Sequence, residues 1–127
     1  MTWIHRSATE LAGAIAAGEV SSEEVVRAHL ARIDAVNPQL NAVVARLDDE
    51  ALADARRADA EVARGTRRGP LHGVPVTLKE SLSMAGKVTS CGSTRLQRNV
   101  TREDATAVAR LKQAGAIPIA RTNVPDM

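Results

Sequence analysis

A lysine ends the most strand-like run of the sequence. Residues 71–81 read LHGVPVTLKES, and Lys79 directly follows the apolar run VPVTL. Ligands of open α/β sheets bind beyond the carboxyl ends of the strands, so we expect this lysine to face a cleft. Loss of water around a lysine disfavours its charged form, and a neutral amine can accept a proton. The alternative is a lysine whose stem is buried and whose ammonium stays in solvent.

A segment that follows this lysine in sequence holds three candidate nucleophiles. Ser90, Cys91 and Ser93 belong to the segment TSCGS. Because a lysine can activate a serine, a pairing of Ser90 or Ser93 with Lys79 is one hypothesis. Cys91 has no histidine near it in the sequence, and a lone cysteine more often packs as a small apolar residue. A structural role for all three residues is the alternative.

The histidines and the single cysteine lack the spacing of a metal site. His5, His29 and His72 are far apart, and one cysteine excludes both an internal disulfide and a multi-cysteine site. We therefore expect neither a metal nor another cofactor. His29 lies beside the apolar stripe of a predicted helix and is expected to be half-buried and inert. His72 precedes a glycine turn, and a place at the edge of a cleft is one alternative for it.

Composition is typical of a globular protein but predicts a weak core. Apolar residues make up 44% of the 127 residues, yet Phe and Tyr are absent and Trp3 is the single tryptophan. Because aromatic side chains usually dominate core energetics, this composition indicates part of a larger domain. The net charge of +2 is spread over both signs, so direct binding of nucleic acid is not expected. The sequence shows neither a signal-peptide pattern nor a membrane-span run, which predicts a soluble protein of the cytoplasm.

Helices crowd the first half of the sequence, and a strand–loop–helix–strand order fills the second half. Capping patterns such as SATE and SSEE, apolar stripes and terminal glycines predict four helices. Short runs rich in Val, Ile and Ala predict three strands. The predicted helices span 7–17, 21–36, 48–64 and 101–114, and the predicted strands span 41–47, 74–78 and 116–120. This order indicates an α/β fold with too few strands for a sheet covered on both faces.

Particular residues set the ends of these elements and the loop between them. Asn37-Pro38 is expected to end the second helix, because the residue before a proline disfavours helical backbone. The fourth helix is expected to start at TRED, residues 101–104. Residues 81–100 show no periodicity, and a loop of that length is uncommon in a compact domain unless it is functional.

From Gly69 onward the sequence resembles the amidase signature family. The resemblance rests on GPLHGVPVTLKES, on the loop with MAG and TSCGS, and on DATAVARLKQAGAIPIARTNVPDM, which is similar to the family's helix, strand and Thr-Asn motif. These segments cover about half of the chain and occur in the family's order. Glu80-Ser81 stands where bacterial members commonly have Asp-Asn, and TNVPDM departs from the usual continuation of the motif. Both departures lean toward the fatty-acid-amide-hydrolase-like branch.

The resemblance implies the N-terminal portion of an amidase-signature fold, in which helices pack on a mixed β-sheet. Residues 1–68 would form its mainly helical part, and residues 69–127 the strand–loop–helix–strand part that carries Lys79. Within the second part, Gly73 and Gly92 are expected to adopt backbone conformations that other residues resist.

The resemblance also implies hydrolysis of carboxylic amides by a Ser–cis-Ser–Lys triad. Lys79 matches the catalytic lysine of that triad, and both serines would lie beyond Met127. Site-supporting roles are implied for Asn123, Gly92 and Ser93, whereas no residue can be assigned to substrate binding. For Asn123, a cap on its own turn is the alternative.

Three functions remain open from the sequence. The first is hydrolysis of a small-molecule amide to an acid plus ammonia or an amine. The second is a glutamine-hydrolysing amidotransferase subunit that serves tRNA-bound substrates and needs partner subunits. The third is an inactive truncated product. Because the serine nucleophile would be absent, the 127-residue chain alone is expected to be inactive. Association into a homo-oligomer is left open.

Overall fold

The computed structural model describes residues 2–126 and contains a three-stranded mixed sheet covered by helices. Strand β3 is central, antiparallel to β1 on one side and parallel to β2 on the other. The predicted α/β class with helices on a mixed sheet is confirmed. The strands are β1 Val43–Arg46, β2 Pro75–Lys79 and β3 Ile117–Thr122, and the α-helices are α1 Ala8–Ala16, α2 Ser22–Leu40, α3 Asp48–Ala63 and α4 Thr106–Gln113. Single-turn 3-10 helices span Trp3–His5 and Thr94–Leu96.

The main core lies between the central strand and the helices α2 and α3. Small alanines on α3 let the helix approach the sheet closely, which offsets the scarcity of aromatic side chains. The buried members of this cluster are Val26, Leu30, Ala51, Ala55, Ala58, Ile117, Ile119 and Ala120. A second cluster joins α1 to Val74, and a third joins Leu78 and Met84 to Val108 of α4. Strand β2 is therefore held from both of its ends.

The predicted capping box at the start of α1 is present. The backbone N–H of Glu10 donates to the Ser7 hydroxyl at 3.1 Å, and the N–H of Ser7 donates to the Glu10 carboxylate at 2.8 Å. At α2 one half of this pattern is present, since the Ser21 side chain accepts the N–H of Glu24 at 3.0 Å. Within the part of the chain that the structure describes, no helix is long and apolar enough to cross a membrane.

The predicted end of α2 at Asn37-Pro38 is wrong, because the helix continues through Pro38 to Leu40. Asn41 ends it with a left-handed backbone, φ 50°, and donates its N–H to the Asn37 carbonyl at 2.7 Å. The Asn37 side chain also pairs with both backbone groups of Val43, at 3.0 and 2.8 Å. These bonds fix the last helical turn on β1, and that tertiary constraint overrides the local bias against a helix before proline.

The predicted start of α4 at TRED is also wrong, since the helix begins at Thr106. The polar residues of TRED hold the preceding loop instead. The Thr101 hydroxyl donates to the Met84 carbonyl at 2.9 Å. Asp104 accepts the N–H of Ala85 at 2.8 Å and the Lys112 ammonium at 2.9 Å. The polar side chains of TRED thus bond backbone groups, as a helix cap would, but those groups belong to the preceding loop and not to α4.

Replacing Gly115 by alanine should destabilise the fold strongly. Gly115 follows α4 with φ +96°, and a Cβ there would lie 2.5 Å from Cα of His72. Backbone strain and overpacking together predict a loss on the order of 3 kcal/mol in the free energy of unfolding. Urea unfolding of the 127-residue chain measures it. Gly13→Ala in α1 is the control, because apart from its chain neighbours and the nearby backbone of its own helix no described atom lies within 4 Å of its Cβ position. Equal stability of both variants would contradict the prediction.

Candidate functional site

Lys79 is the last residue of β2, and its side chain is exposed. It lies in register with Thr122 of β3, so it marks the shared carboxyl edge of two parallel strands. Within residues 2–126 its ammonium has no hydrogen-bond or ion-pair partner. The other two lysines are engaged, Lys87 by Glu50 and Lys112 by Asp104. Lys79 therefore has no bonded partner in this part of the chain, which also does not provide the desolvation expected around it.

The loop after β2 returns to the same edge of the sheet. Gly92 adopts φ +75°, and a Cβ on it would lie 2.5 Å from the carbonyl oxygen of Pro125, which follows β3. Gly73 also has a positive φ, +80°, as expected from the sequence. Ser93 begins the short helix Thr94–Leu96, where its hydroxyl accepts the N–H of Arg95 at 3.3 Å. Gly92 thus packs closely on the chain beyond β3, while the Ser93 side chain bonds within its own turn.

Asn123 bonds both a neighbouring element and the residue that follows it, and its site-supporting role stays a prediction. Its side-chain amide donates to the carbonyl of Asn41 at 3.1 Å, and its backbone N–H donates to the carbonyl of Ala42 at 2.8 Å. Its side-chain oxygen accepts the N–H of Val124, the next residue, at 2.9 Å. Asn123 therefore ties the end of β3 to the end of α2.

The Glu80 carboxylate is buried, unlike the exposed Lys79 side chain, and it holds the loop. Glu80 follows β2 directly and is 8% exposed. It accepts the backbone N–H of Ser90 at 2.9 Å, the N–H of Cys91 at 3.1 Å and the Ser90 hydroxyl. Burial raises its pKa, but these hydrogen bonds and the Arg121 charge outweigh burial, so the pKa lies below its ordinary value.

Arg121 of β3 joins the two ends of the same loop from inside the protein. The side chain is 2% exposed, and its guanidinium donates to the carbonyls of Glu80 at 2.8 Å and Leu82 at 2.9 Å. It also donates to the carbonyl of Val88 and to the Thr89 hydroxyl at 3.3 Å. Burial lowers the pKa of Arg121, while the Glu80 charge opposes this shift. Its Nε has no hydrogen-bond partner among the described residues.

The remaining sequence candidates occupy structural positions. The Ser90 hydroxyl is bonded to Glu80 rather than to Lys79, and Cys91 is half-buried with a left-handed φ of 52°. His29 is half-buried, as expected, and one of its ring nitrogens contacts the Val25 carbonyl at 2.8 Å. His72 is buried between the loop at Arg68 and helix α3, where it bonds backbone groups at 3.0 and 2.9 Å.

Two residues of this region carry roles that the sequence did not predict. Glu80 departs from a family motif without a predicted role, and no motif singles out Arg121. The one local signal is a charged residue that follows the apolar run AIPIA directly. Arginine in a run of buried residues needs several acceptors, because burial of an unpaired cation is costly. Applied to Arg121, this rule predicts a carbonyl-rich loop around the guanidinium.

Comparison with known proteins finds a matching family model and several similar proteins. The family model described as Amidase matches residues 24–127. The A subunit of glutamyl-tRNA(Gln) amidotransferase from Acidothermus cellulolyticus is 46% identical over 97% of this chain and 24% of that protein. Indoleacetamide hydrolase of Bradyrhizobium diazoefficiens is 46% identical over 94% of this chain and 23% of that protein.

Solved structures of amidases also match the fold of the chain. A fatty acid amide hydrolase matches with a TM-score of 0.93 and 35% identity, over 97% of this chain and 22% of that one. Native peptide amidase from Stenotrophomonas maltophilia matches with a TM-score of 0.87 and 37% identity, over 98% of this chain and 26% of that one. The chain spans about a quarter of the length of the curated relatives it matches. Because the matches include several kinds of amidase as well as amidotransferase subunits, the branch stays a prediction.

Proposed function

The chain belongs to the Amidase family, and from this premise we propose that the whole protein hydrolyses a carboxylic amide to a carboxylic acid plus ammonia or an amine. The observation that carries the proposal is Lys79, an ammonium without a partner within residues 2–126, at the carboxyl edge of two parallel strands. Family membership supports amide chemistry, and the position of Lys79 supports its use as the base.

In the proposed mechanism, Lys79 accepts a proton from a bridging serine, which in turn takes the proton of a nucleophilic serine. The nucleophile's oxygen adds to the amide carbonyl, and the C–N bond breaks as the amine leaves with a proton. Water then hydrolyses the acyl-enzyme to the acid and restores the serine. We place both serines, and the backbone N–H donors for the oxyanion, beyond Met127.

Because Lys79 is exposed in this part of the protein, other residues of the whole protein must shield it from water if it is to act as a base. An ammonium in water is a poor base at neutral pH, so its neutral form must be favoured by removal of solvent. We propose that residues outside this chain cover Lys79 and build the substrate pocket. The small-molecule amide, association into a homo-oligomer and a cytoplasmic location accordingly stay predictions.

Ammonia release from a panel of amides tests the proposal. The panel holds indole-3-acetamide, a fatty-acid primary amide and glutamine, and the samples are the whole protein and the 127-residue chain. We expect the whole protein to turn over at least one amide and the chain to show only the uncatalysed rate. Turnover by the chain itself would place a nucleophile within it and would make Ser90 and Ser93 the first residues to replace.

A second function, that of an amidotransferase subunit, is favoured by the 46% and 48% identity to two such subunits. It predicts a different result in the same assay. The whole protein alone would then release little ammonia from glutamine, and the rate would rise when partner subunits and tRNA are added. Rapid hydrolysis of indole-3-acetamide by the protein alone would instead support the amidase.

A further inference from the structure

Two buried charged side chains tie the loop that follows Lys79 to the sheet. They add to the loop's own backbone hydrogen bonds, such as those from the N–H of Gly86 to the Thr101 carbonyl and from the N–H of Thr89 to the Asn99 carbonyl, both at 2.8 Å. Residues 80–101 contain one isolated bridge, Val88 with Val100, and a single 3-10 turn. Loops with so little regular structure are mobile unless other groups fix them. Glu80, directly after β2, and Arg121 of β3 supply such groups.

The Glu80 carboxylate fixes the far part of the loop. Two consecutive backbone N–H groups, those of Ser90 and Cys91, point at it, together with the Ser90 hydroxyl. Hydrogen bonds to an ionised acceptor are roughly twice as strong as neutral ones. Glu80 is the next residue after Lys79. This contact therefore fixes the position of the loop relative to the lysine.

The Arg121 guanidinium fixes both ends of the loop. Its bonds to Glu80 and Leu82 hold the segment that leaves β2, and its bonds to Val88 and Thr89 hold the segment that returns. A planar guanidinium presents its donors in a rigid fork, which a lysine in the same place could not match. The two side chains therefore act on one loop, Arg121 from β3 and Glu80 from the position directly after β2.

The far part of the loop then reaches the edge where Lys79 lies. Gly92 packs against the Pro125 carbonyl so closely that a Cβ would lie at 2.5 Å. Pro125 follows β3 by three residues, and β3 ends at Thr122, which is in register with Lys79. A shift of the loop would consequently displace Glu80, the residue next to the lysine, and also Pro125, which lies beyond the neighbouring strand β3.

We propose that Glu80 and Arg121 are positioning residues for amide hydrolysis, which hold loop 88–93 and the chain beyond β3 in a fixed place relative to Lys79. This inference rests on the proposed function. Neither side chain touches the reacting atoms in it. They act through the loop, and their loss should reduce turnover without changing substrate affinity. A misplacement of about 1 Å can cost on the order of 100-fold in rate.

Glu80→Gln and Glu80→Asp in the whole protein test the proposal, with Glu23→Gln as the control. Glutamine keeps the shape but replaces one acceptor oxygen by an NH₂ group, whereas aspartate keeps the charge. Glu23 bonds Arg27 and Arg56 on the helical surface, so its variant also removes a bonded carboxylate. We expect kcat for the best amide of the panel to fall about 100-fold in Glu80→Gln with little change in KM, and less in Glu80→Asp. The control should keep its kcat.

Hydrogen exchange at peptides covering 88–93 gives the second readout. In the unsubstituted protein the lowered pKa of Glu80 means that its bonds persist above the unfolded pKa and are lost as pH falls through the folded value. Arg121 and the half-buried Cys91 are the other titratable groups that face it. Protection should therefore fall in acid for the unsubstituted protein and be low at every pH in Glu80→Gln.

The outcomes separate the two proposals. Loss of protection together with a lower kcat supports the positioning role. Loss of protection with unchanged kcat, or unchanged protection, overturns it while amide hydrolysis stands. No turnover of any panel amide by the unsubstituted protein overturns the proposed function, and the positioning role falls with it. If Glu80→Gln does not fold, Glu80→Asp decides by the same two readouts.

Discussion

Lys79→Ala in the whole protein is expected to abolish amide hydrolysis and to leave the fold intact. Removal of a proton acceptor from a catalytic unit predicts a loss of kcat of about 10⁴-fold or more. The fold should survive because the Lys79 side chain is exposed and makes no hydrogen bond within residues 2–126. Ammonia release measures the rate, and circular dichroism with the melting temperature measures the fold.

Two further lysine variants sharpen this test. Lys79→Arg keeps the positive charge, but a guanidinium does not give up its proton in proteins, so the variant should be as inactive as Lys79→Ala. Lys112→Ala removes an ammonium that bonds Asp104 at 2.9 Å and should keep full activity. Activity in Lys79→Arg would mean that the lysine serves as a charge rather than as a base. Activity in a folded Lys79→Ala variant would remove it from the mechanism.

The strands and helices could be predicted because their signals are local. Lys79 is a clear case, since the run VPVTL and the carboxyl-end rule suffice to place it at the edge of a sheet. The two wrong helix boundaries arose where hydrogen bonds to residues outside the helix set its end. Asn37 continues its helix because Val43 bonds it, and Thr101 stays out of a helix because the Met84 carbonyl engages its hydroxyl.

The network of Glu80 and Arg121 could not be predicted for the same reason. Arg121 bonds the carbonyl of a residue 41 positions earlier, and Glu80 bonds residues 10 and 11 positions later. Periodicity and capping patterns report only on neighbours within a few residues. Backbone carbonyls are also present at every position, so the sequence does not mark which of them a buried cation will select.

Arg121→Met should be among the most destabilising single substitutions in this chain. Methionine fills a similar volume but leaves the buried carbonyls of Glu80 and Leu82 without their donor, and it leaves the Glu80 carboxylate without its nearby cation. Loss of one partner from a buried charged network costs about 3–5 kcal/mol. That is a large share of the roughly 5–15 kcal/mol that stabilises a typical domain. Urea unfolding of the 127-residue chain measures the loss.

Arg46→Met is the matched control, because it removes an arginine from β1 of the same sheet. Arg46 bonds Asp34 at 2.7 Å and Asp48 at 2.8 Å, but its side chain is 35% exposed, and ion pairs in solvent contribute about 1 kcal/mol or less. The two variants therefore differ in burial rather than in residue type. A clearly larger loss for Arg121→Met would assign the stabilisation to the buried carbonyl contacts, and that loss should be partly restored in Arg121→Lys. Equal losses would show that the loop is held by its apolar contacts, among them Met84 against Val108, and not by the guanidinium.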